Sequence, residues 1–435
     1  MRLILFDGPA DKRAQFYPLS LSHPVWDLRV GMKSLGQRLI EKYRPDETAC
    51  FVPPYMAEAY RESAGMKVND AFALAGDDLL VVNGRVKAES LTLAAEGQPG
   101  VGIGKDGEIL YVRVPKGKSG QLPFSAAENG NCPDFSAFLA AAKAALPNVP
   151  CEAATWNYTW DLVLANPEVL AADFRAAGRH GIEGTVEQPS ALRGDAKNVF
   201  IAKGAKVHPM VVIDAEHGPV YIDEEAEIHP FTRIEGPCYI GKKSILLGAK
   251  CREGMSIGPM CRVGGEVEES ILQGWSNKYH DGFLGHAYVG EWVNLGAGTT
   301  NSDLKNDYSN VSVSLDGHST IDTGSTKVGC LVGDHTKTSI GTLFNTGAYV
   351  GAMALILATG KPLPKFIPSF AWFMDGAVTK GFGKGKLYET ARVAMSRRKR
   401  QWTPAQEAMW DAVFELTAPS RDAAIRKGRR VLTKG

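Results

Sequence analysis

The chain has 435 residues, 44% of them hydrophobic, and its 49 Lys and Arg nearly cancel its 48 Asp and Glu. At the usual ~100–200 residues per domain this length allows two or three domains, and the charge balance removes the electrostatic case for a nucleic-acid binder or an acidic tail. The seven cysteines are scattered, with no C-x-x-C pair and no dense secreted-type framework, which fits a reduced cytosol and a cytoplasmic protein.

The first residues, MRLILFDGPADKR, meet an Asp after a short apolar run and read as a β-strand rather than a signal peptide. No apolar stretch approaches the ~20 residues needed to span a bilayer, the nearest being the Gly-broken run from Val350 to Thr359, so no membrane role is expected. Up to about Ala191, short apolar runs (Leu3–Phe6, Leu79–Val82) alternate with amphipathic stretches such as Phe135–Leu146, the pattern of an α/β domain.

From about Asp195 the texture becomes Gly-rich and β-branched. Ile222, Ile228, Ile234, Ile240 and Leu246 follow one another at six-residue intervals; the phase then slips, and Ile257 with Val263, then Phe283, Val289 and Leu295, resume the interval. An alternating strand would place an apolar residue at every second position. One inward aliphatic per six suits a triangular coil with three short faces, which must stack to bury its inner side. The last zone has apolar positions at helical spacing (Ala394, Met395, Met409, Trp410, Val413, Phe414), and Thr403-Pro404 sits where an N-cap and first helical residue belong. The expected division is an α/β domain over 1–192, a β-helix over 193–386 and a helical segment over 387–435.

Three long stretches carry a family resemblance: GGEVEESILQGWSNKYHDGFLGHAYVGEWVNLGAGTTNSDLKNDY (Gly264–Tyr308), GCLVGDHTKTSIGTLFNTGAYVG (Gly329–Gly351) and LPKFIPSFAW (Leu363–Trp372). With FYPLSLSHPVWDLRVG, VNGRV and TWDLVLANPEVLAADF in the first zone, they resemble the bacterial fusions of a sugar nucleotidyltransferase to a hexapeptide-repeat acyltransferase. That family is related to the bifunctional glucosamine-1-phosphate N-acetyltransferase / N-acetylglucosamine-1-phosphate uridyltransferase. The resemblance implies a Rossmann-type N-terminal domain, a left-handed β-helix, a homotrimer, and a sugar phosphate, an NTP and acetyl-CoA as substrates.

Acyl transfer to an amine needs a base that accepts a proton near neutral pH, and His at an ordinary pKa of ~6.5 serves. By resemblance, His280-Asp281-Gly282-Phe283-Leu284-Gly285 falls on the family's His-x-x-Tyr-Leu-Gly, which makes His280 the base. Phe283 replaces the Tyr and removes a hydroxyl that could hold the acceptor. Asp303 falls where the relative has an amine-contacting Asn, with Asn301 two residues away. Asn277 and Lys278 are candidate contacts to an acceptor phosphate. Lys337 and the Ser396–Arg400 run, with Arg398 and Arg400, are candidate contacts to the CoA phosphates; such a run otherwise lies on a solvated helix face.

In the first zone, Asp7-Gly8-Pro9 and Gln15-Phe16-Tyr17-Pro18-Leu19-Ser20 resemble a phosphate loop in which Gln15 stands for an Arg. Arg13, His23, Arg29, Asn83 and Arg85 are candidate substrate contacts. Asp77 and Asn166 are candidate Mg²⁺ ligands, or else turn and helix-cap residues. Two other readings stay open: a β-helical zinc enzyme using His280, His286, His208 and His229, and a non-catalytic trimeric scaffold, favoured by Phe283, Asp303 and Gln15.

Overall fold

A computed structural model describes residues 1–75, 78–93, 97–117 and 135–432. Strand Arg2–Phe6 pairs in parallel with Glu47–Phe51 and Leu79–Asn83, at the centre of a seven-stranded sheet that continues through Ile109–Val114, Gly100–Ile103 and Asn148–Pro150. Its apolar run is continuous because both faces are covered: Leu3 and Leu5 enter one core, Ile4 and Phe6 another that includes Phe138 and Ala142 of helix Phe135–Ala145. Helix Leu35–Tyr43 makes the crossover that a parallel pair requires and starts at a capping box between Ser34 and Gln37.

The chain then winds into a parallel β-helix of three faces. Ile222 lies beside Ile240, Ile240 beside Ile257 and Val332 beside Val350, so these circuits take 17 or 18 residues, about three hexapeptides, while Ile201 beside Ile222 spans 21 and Ile257 beside Leu272 spans 15. Ile222, Ile228 and Ile234 fall on the first, second and third face in turn, and all three are fully buried. The phase slip after Leu246 is a 17-residue circuit. The coil starts at Gly181–Ile182, which pairs with Phe200–Ile201, ahead of position 193. One circuit is long: Val289 lies beside Val332, and the extra chain carries a short hairpin of Ser312–Val313 and Ile321–Asp322.

Each circuit turns through corners in the left-handed backbone region, and one corner uses ordinary residues rather than glycine: Lys243, Met260, Trp275, Trp292, His335, Met353 and Phe370 all have φ between 56° and 60°. Trp275 stacks on Trp292, and Trp292 on His335. Helices Lys384–Ser396, Pro404–Leu416 and Ala418–Leu432 follow. Thr403 caps the second with a capping box to Gln406, and Trp402 and Trp410 meet the edge of His335. Among the described residues no helix is long and apolar enough to cross a membrane.

The α/β domain lies along the first face. Helix Thr159–Ala177 packs on strands Cys238–Ile240, Met255–Ile257 and Tyr288–Glu291, and His23 reaches Asp334 at 2.7 Å. The first face and its adjoining aromatic corner are thus covered. The corner between the second and third faces carries Met210, Phe231 and Ile340, each more than half exposed.

Candidate functional site

His280 sits on that uncovered corner. Its ring is exposed, touches Tyr279, and has no hydrogen-bond partner among the described residues. Glycine stands there for steric reasons: a Cβ on Gly264, in the preceding circuit, would lie 2.2 Å from the Tyr279 carbonyl oxygen, and one on Gly282, two residues past His280, 2.0 Å from that of Thr299. The backbone around the imidazole is therefore bare.

Lys278 is not a loop cation. Val263 lies beside it in register, so it occupies an inward position of the second face, where it is 1% exposed. Its ammonium donates to the carbonyls of His280 (2.5 Å) and Gly264 (3.2 Å), and burial pulls its pKa down to about 8. It fixes the His280 corner from inside rather than meeting a phosphate. Asn301 is likewise buried: its Oδ1 accepts from Gly285 N at 2.8 Å and its Nδ2 donates to Gly285 O at 2.9 Å. That amide is spent imitating a strand partner and does not point at an acceptor amine.

Phe283 is half-buried, and its ring and the Asp303 carboxylate meet over Gly285, where a Cβ would lie 2.5 Å from the Phe283 ring and 2.7 Å from Asp303 Oδ2. Asp303 bonds His286 Nδ1 at 2.8 Å, and Glu269 stands 3.1 Å from His286 Nε2. Burial alone would lower the His286 pKa, but the two carboxylates outweigh it and hold it at about 9. His286 is thus a cation clamped between two anions, and Asp303 is committed to it. The sequence pattern singled out Asp303 and gave no sign of Glu269.

The predicted CoA contacts separate. Arg398 Nη2 donates to Asn277 Oδ1 at 2.8 Å, and Arg400 lies over the Trp275 ring at 4.8 Å. These two docking contacts join the end of the first C-terminal helix to the coil. Lys337 donates to the carbonyls of Trp292 (2.5 Å) and His335 (3.0 Å), and burial lowers its pKa to about 7. Its ammonium is held by these two carbonyls.

In the α/β domain a cavity of 540 Å³ opens at the C-terminal ends of the parallel strands, lined by Asp7, Gly8, Arg13, Asn69, Glu108 and Lys143 among others. Burial raises the Asp7 carboxyl to about 7; one oxygen accepts from Val25 N at 2.9 Å and the other has no partner among the described residues. Asn83 donates to Glu108 at 2.8 Å and Arg85 forms a buried ion pair with the same carboxylate, so both are wall-bracing residues behind Gly8. Arg13 is buried and donates to Ser20 O and Tyr55 Oη.

Arg29 faces the coil rather than the cavity: its N–H donates to Tyr288 Oη at 2.8 Å and its guanidinium lies over Tyr239. Asn166 does not fit a metal, because Oδ1 accepts from Gly31 N (2.7 Å) and Ser256 Oγ (3.0 Å) while Nδ2 donates to Gly254 O (2.7 Å). It bridges the α/β domain and the coil, fully buried. Asp77 lies outside the described residues.

Residues 3–180 match the family model described as sugar nucleotidyl transferase. A bifunctional sugar-1-phosphate nucleotidylyltransferase/acetyltransferase of Sulfurisphaera tokodaii is 35% identical over 150 residues, 32% of this chain and 35% of that protein. The bifunctional protein GlmU of Acidovorax ebreus is 36% identical over 118 residues, 26% of this chain and 21% of that protein. The chain thus spans about a third or less of the length of these relatives. A solved UDP-N-acetylglucosamine acyltransferase of Francisella novicida aligns over 51% of this chain and 75% of its own at 14% identity, with a TM-score of 0.29. Residues 3–180 thus match a sugar nucleotidyltransferase family, and a three-faced parallel β-helix built on a hexapeptide repeat follows them.

Proposed function

We propose that the β-helix transfers an acyl group from a CoA thioester, acetyl-CoA in the first instance, to the amine of an amino sugar 1-phosphate, with His280 as the base. The observation that carries this reading is the state of its imidazole: exposed and without a hydrogen-bond partner among the described residues, on a coil edge that neither the α/β domain nor the C-terminal helices cover. His23, His286 and His335 are committed to a carboxylate, to two carboxylates and to an aromatic cage. In the reaction the amine nitrogen attacks the thioester carbonyl and passes a proton to His280. The C–S bond then breaks, and the thiolate leaves with that proton. Backbone N–H groups of the glycine corner are suited to stabilise the tetrahedral oxyanion.

The same edge exposes Met210, Phe231 and Ile340, apolar residues that a neighbouring copy would cover. A homotrimer with His280 facing the next subunit accounts for both features. The α/β cavity takes the NTP and the sugar 1-phosphate for nucleotidyl transfer, with Lys143 at its wall as a cation for the phosphates. Mg²⁺ is the usual metal of such a reaction, and Asn166 is not its ligand here.

The test is thiol release from acetyl-CoA with glucosamine-1-phosphate and other amino sugar phosphates, run on wild type and His280→Ala. Loss of a positioned general base costs about 10²–10⁴ in rate, so turnover should fall by that factor with folding unchanged. Equal turnover in the variant would remove His280 from the chemistry; absent turnover in wild type would favour a non-catalytic coil. Pyrophosphate release from NTPs with sugar 1-phosphates reads the other domain.

A further inference from the structure

Several circuits before His280, on the same edge, the coil lines up Glu187, His208 and His229. Each directly follows an inward residue, Val186, Val207 or Ile228, and those three are paired in register, so the outward side chains stack. The two imidazoles lie face to face with centroids 5.0 Å apart. Glu227, one residue before Ile228, points outward beside them. Its Oε1 is 2.9 Å from His208 Nε2 and 3.6 Å from His229 Nε2. The ligand-type atoms of His208, Glu227 and His229 all lie within 4.8 Å of one another.

We infer that His208, Glu227 and His229 form an intrachain site for a zinc-class divalent cation that ties two successive circuits of the coil. Two imidazole nitrogens and a carboxylate oxygen are the donor set that suits Zn²⁺, with water completing the shell, whereas Mg²⁺ and Ca²⁺ favour all-oxygen sets. Glu187 supplies the outer partner such a site needs: its carboxylate lies 3.3 Å from His208 Nδ1, which fixes the ring and leaves Nε2 as the ligand atom. The three ligand side chains are 25–37% exposed, so an ion can enter from solvent. Binding exchanges the proton that His208 Nε2 donates to Glu227 for the cation, and that proton leaves to solvent. The site does not rest on the acyl-transfer reading. At ~4.8 Å per circuit it is roughly 14 Å from the Tyr279–His280 corner.

The experiment is zinc titration by calorimetry on the whole chain after EDTA treatment and dialysis, repeated with Co²⁺ to read the ligand set from its visible bands. One saturable equivalent per chain is expected in wild type. His208→Ala and His229→Ala should each lose it, and Glu187→Ala should weaken it by about 10–100-fold, the range for an outer partner. Glu227→Gln keeps the side-chain shape and should also weaken it, so a folding defect in one histidine variant would not obscure the result. A wild type that takes up no equivalent overturns the site. So does an equivalent that survives in both histidine variants, which would move it to the Glu253, Glu268 and Glu269 cluster.

Discussion

Replacing Asp334 by Asn removes the counter-charge of His23 at the junction of the α/β domain and the coil. The two side chains are 14% and 5% exposed and 2.7 Å apart, and Asp334 also accepts from Ser22 Oγ and from Glu291 N. Burial pulls the His23 pKa down, but the Asp334 carboxylate outweighs it and raises it to about 10. The unfolded value is ~6.5, so the pair's contribution is fully present below pH ~6.5 and is lost as pH rises through about 10, at up to ~1.36 kcal/mol per pH unit. The downward shift of Asp334 is the same interaction seen from the other partner and is counted once. Leaving a buried imidazolium unpaired costs on the order of 3–5 kcal/mol. Urea unfolding followed by tryptophan fluorescence should therefore show Asp334→Asn weaker by about that amount at pH 6. The gap between variant and wild type should narrow by ~2 kcal/mol between pH 6.5 and 8, with groups untouched by the substitution cancelling in the difference. A gap under about 0.5 kcal/mol at pH 6, or one that does not narrow, would refute the assignment of a charged pair.

Three further outcomes are expected. Gly258→Ala places a Cβ 2.1 Å from the Gln273 carbonyl oxygen of the adjacent circuit and should cost about 3 kcal/mol or more, whereas Gly248→Ala meets nothing within 4 Å and should cost only the ~1–2 kcal/mol of its φ of +55°; denaturant midpoints separate the two. Lys278 has its pKa lowered to about 8 against an unfolded 10.5, so between those values the unfolded chain binds the extra proton and stability rises with pH; unfolding of Lys278→Met between pH 8 and 10 should lack that rise. Asp303→Asn weakens the clamp on His286, whose raised pKa contributes stability that is full below ~6.5 and fades through about 9. At pH 6 it should lose about 1.5–3 kcal/mol while the acyl-transfer KM stays within about threefold; a tenfold rise in KM would return Asp303 to the acceptor amine.

The coil was legible because its signal is local and repeated. Most faces of the coil bury one aliphatic per circuit, so Ile222 to Leu246 print the period into the sequence. The long circuit from Val289 to Val332 was not legible, because an insertion at a corner leaves the flanking register intact and has no period of its own. Motif position singled out candidate residues and carried no information on their tertiary partners. Asn166, Lys278 and Asn301 are donor-bearing side chains at motif positions, yet each is consumed by backbone groups, those of Gly31 and Gly254, of Gly264 and His280, and of Gly285, which the fold brings to it. The same holds for Arg29, whose partners Tyr239 and Tyr288 lie more than 200 positions on. The Glu269–His286–Asp303 clamp was partly visible: His286 and Asp303 were candidates in the Gly264–Tyr308 stretch, whereas Glu269 of the same stretch looked like any surface glutamate.

Two inward polar residues, Lys278 and Asn301, bear on where the chemistry lies. In the column that holds Lys278, the circuit before it places Val263, and in the column that holds Asn301 its neighbours are Leu284 and Phe344, all buried aliphatic or aromatic. A lysine and an amide in such columns cost desolvation that an apolar residue of like size would avoid, and a fold optimised only for stability would not keep them. Both are spent within one stretch of six residues. Lys278 holds the carbonyl of His280, and Asn301 holds both backbone groups of Gly285. The buried polar groups thus pin the two ends of the segment from His280 to Gly285, the bare imidazole at one end and the notch between Phe283 and Asp303 at the other. They act as positioning residues for an exposed edge. Lys278 and Asn301 sit inside successive circuits, and both hold the segment that presents the exposed His280, which supports placing the proposed acyl transfer at this corner.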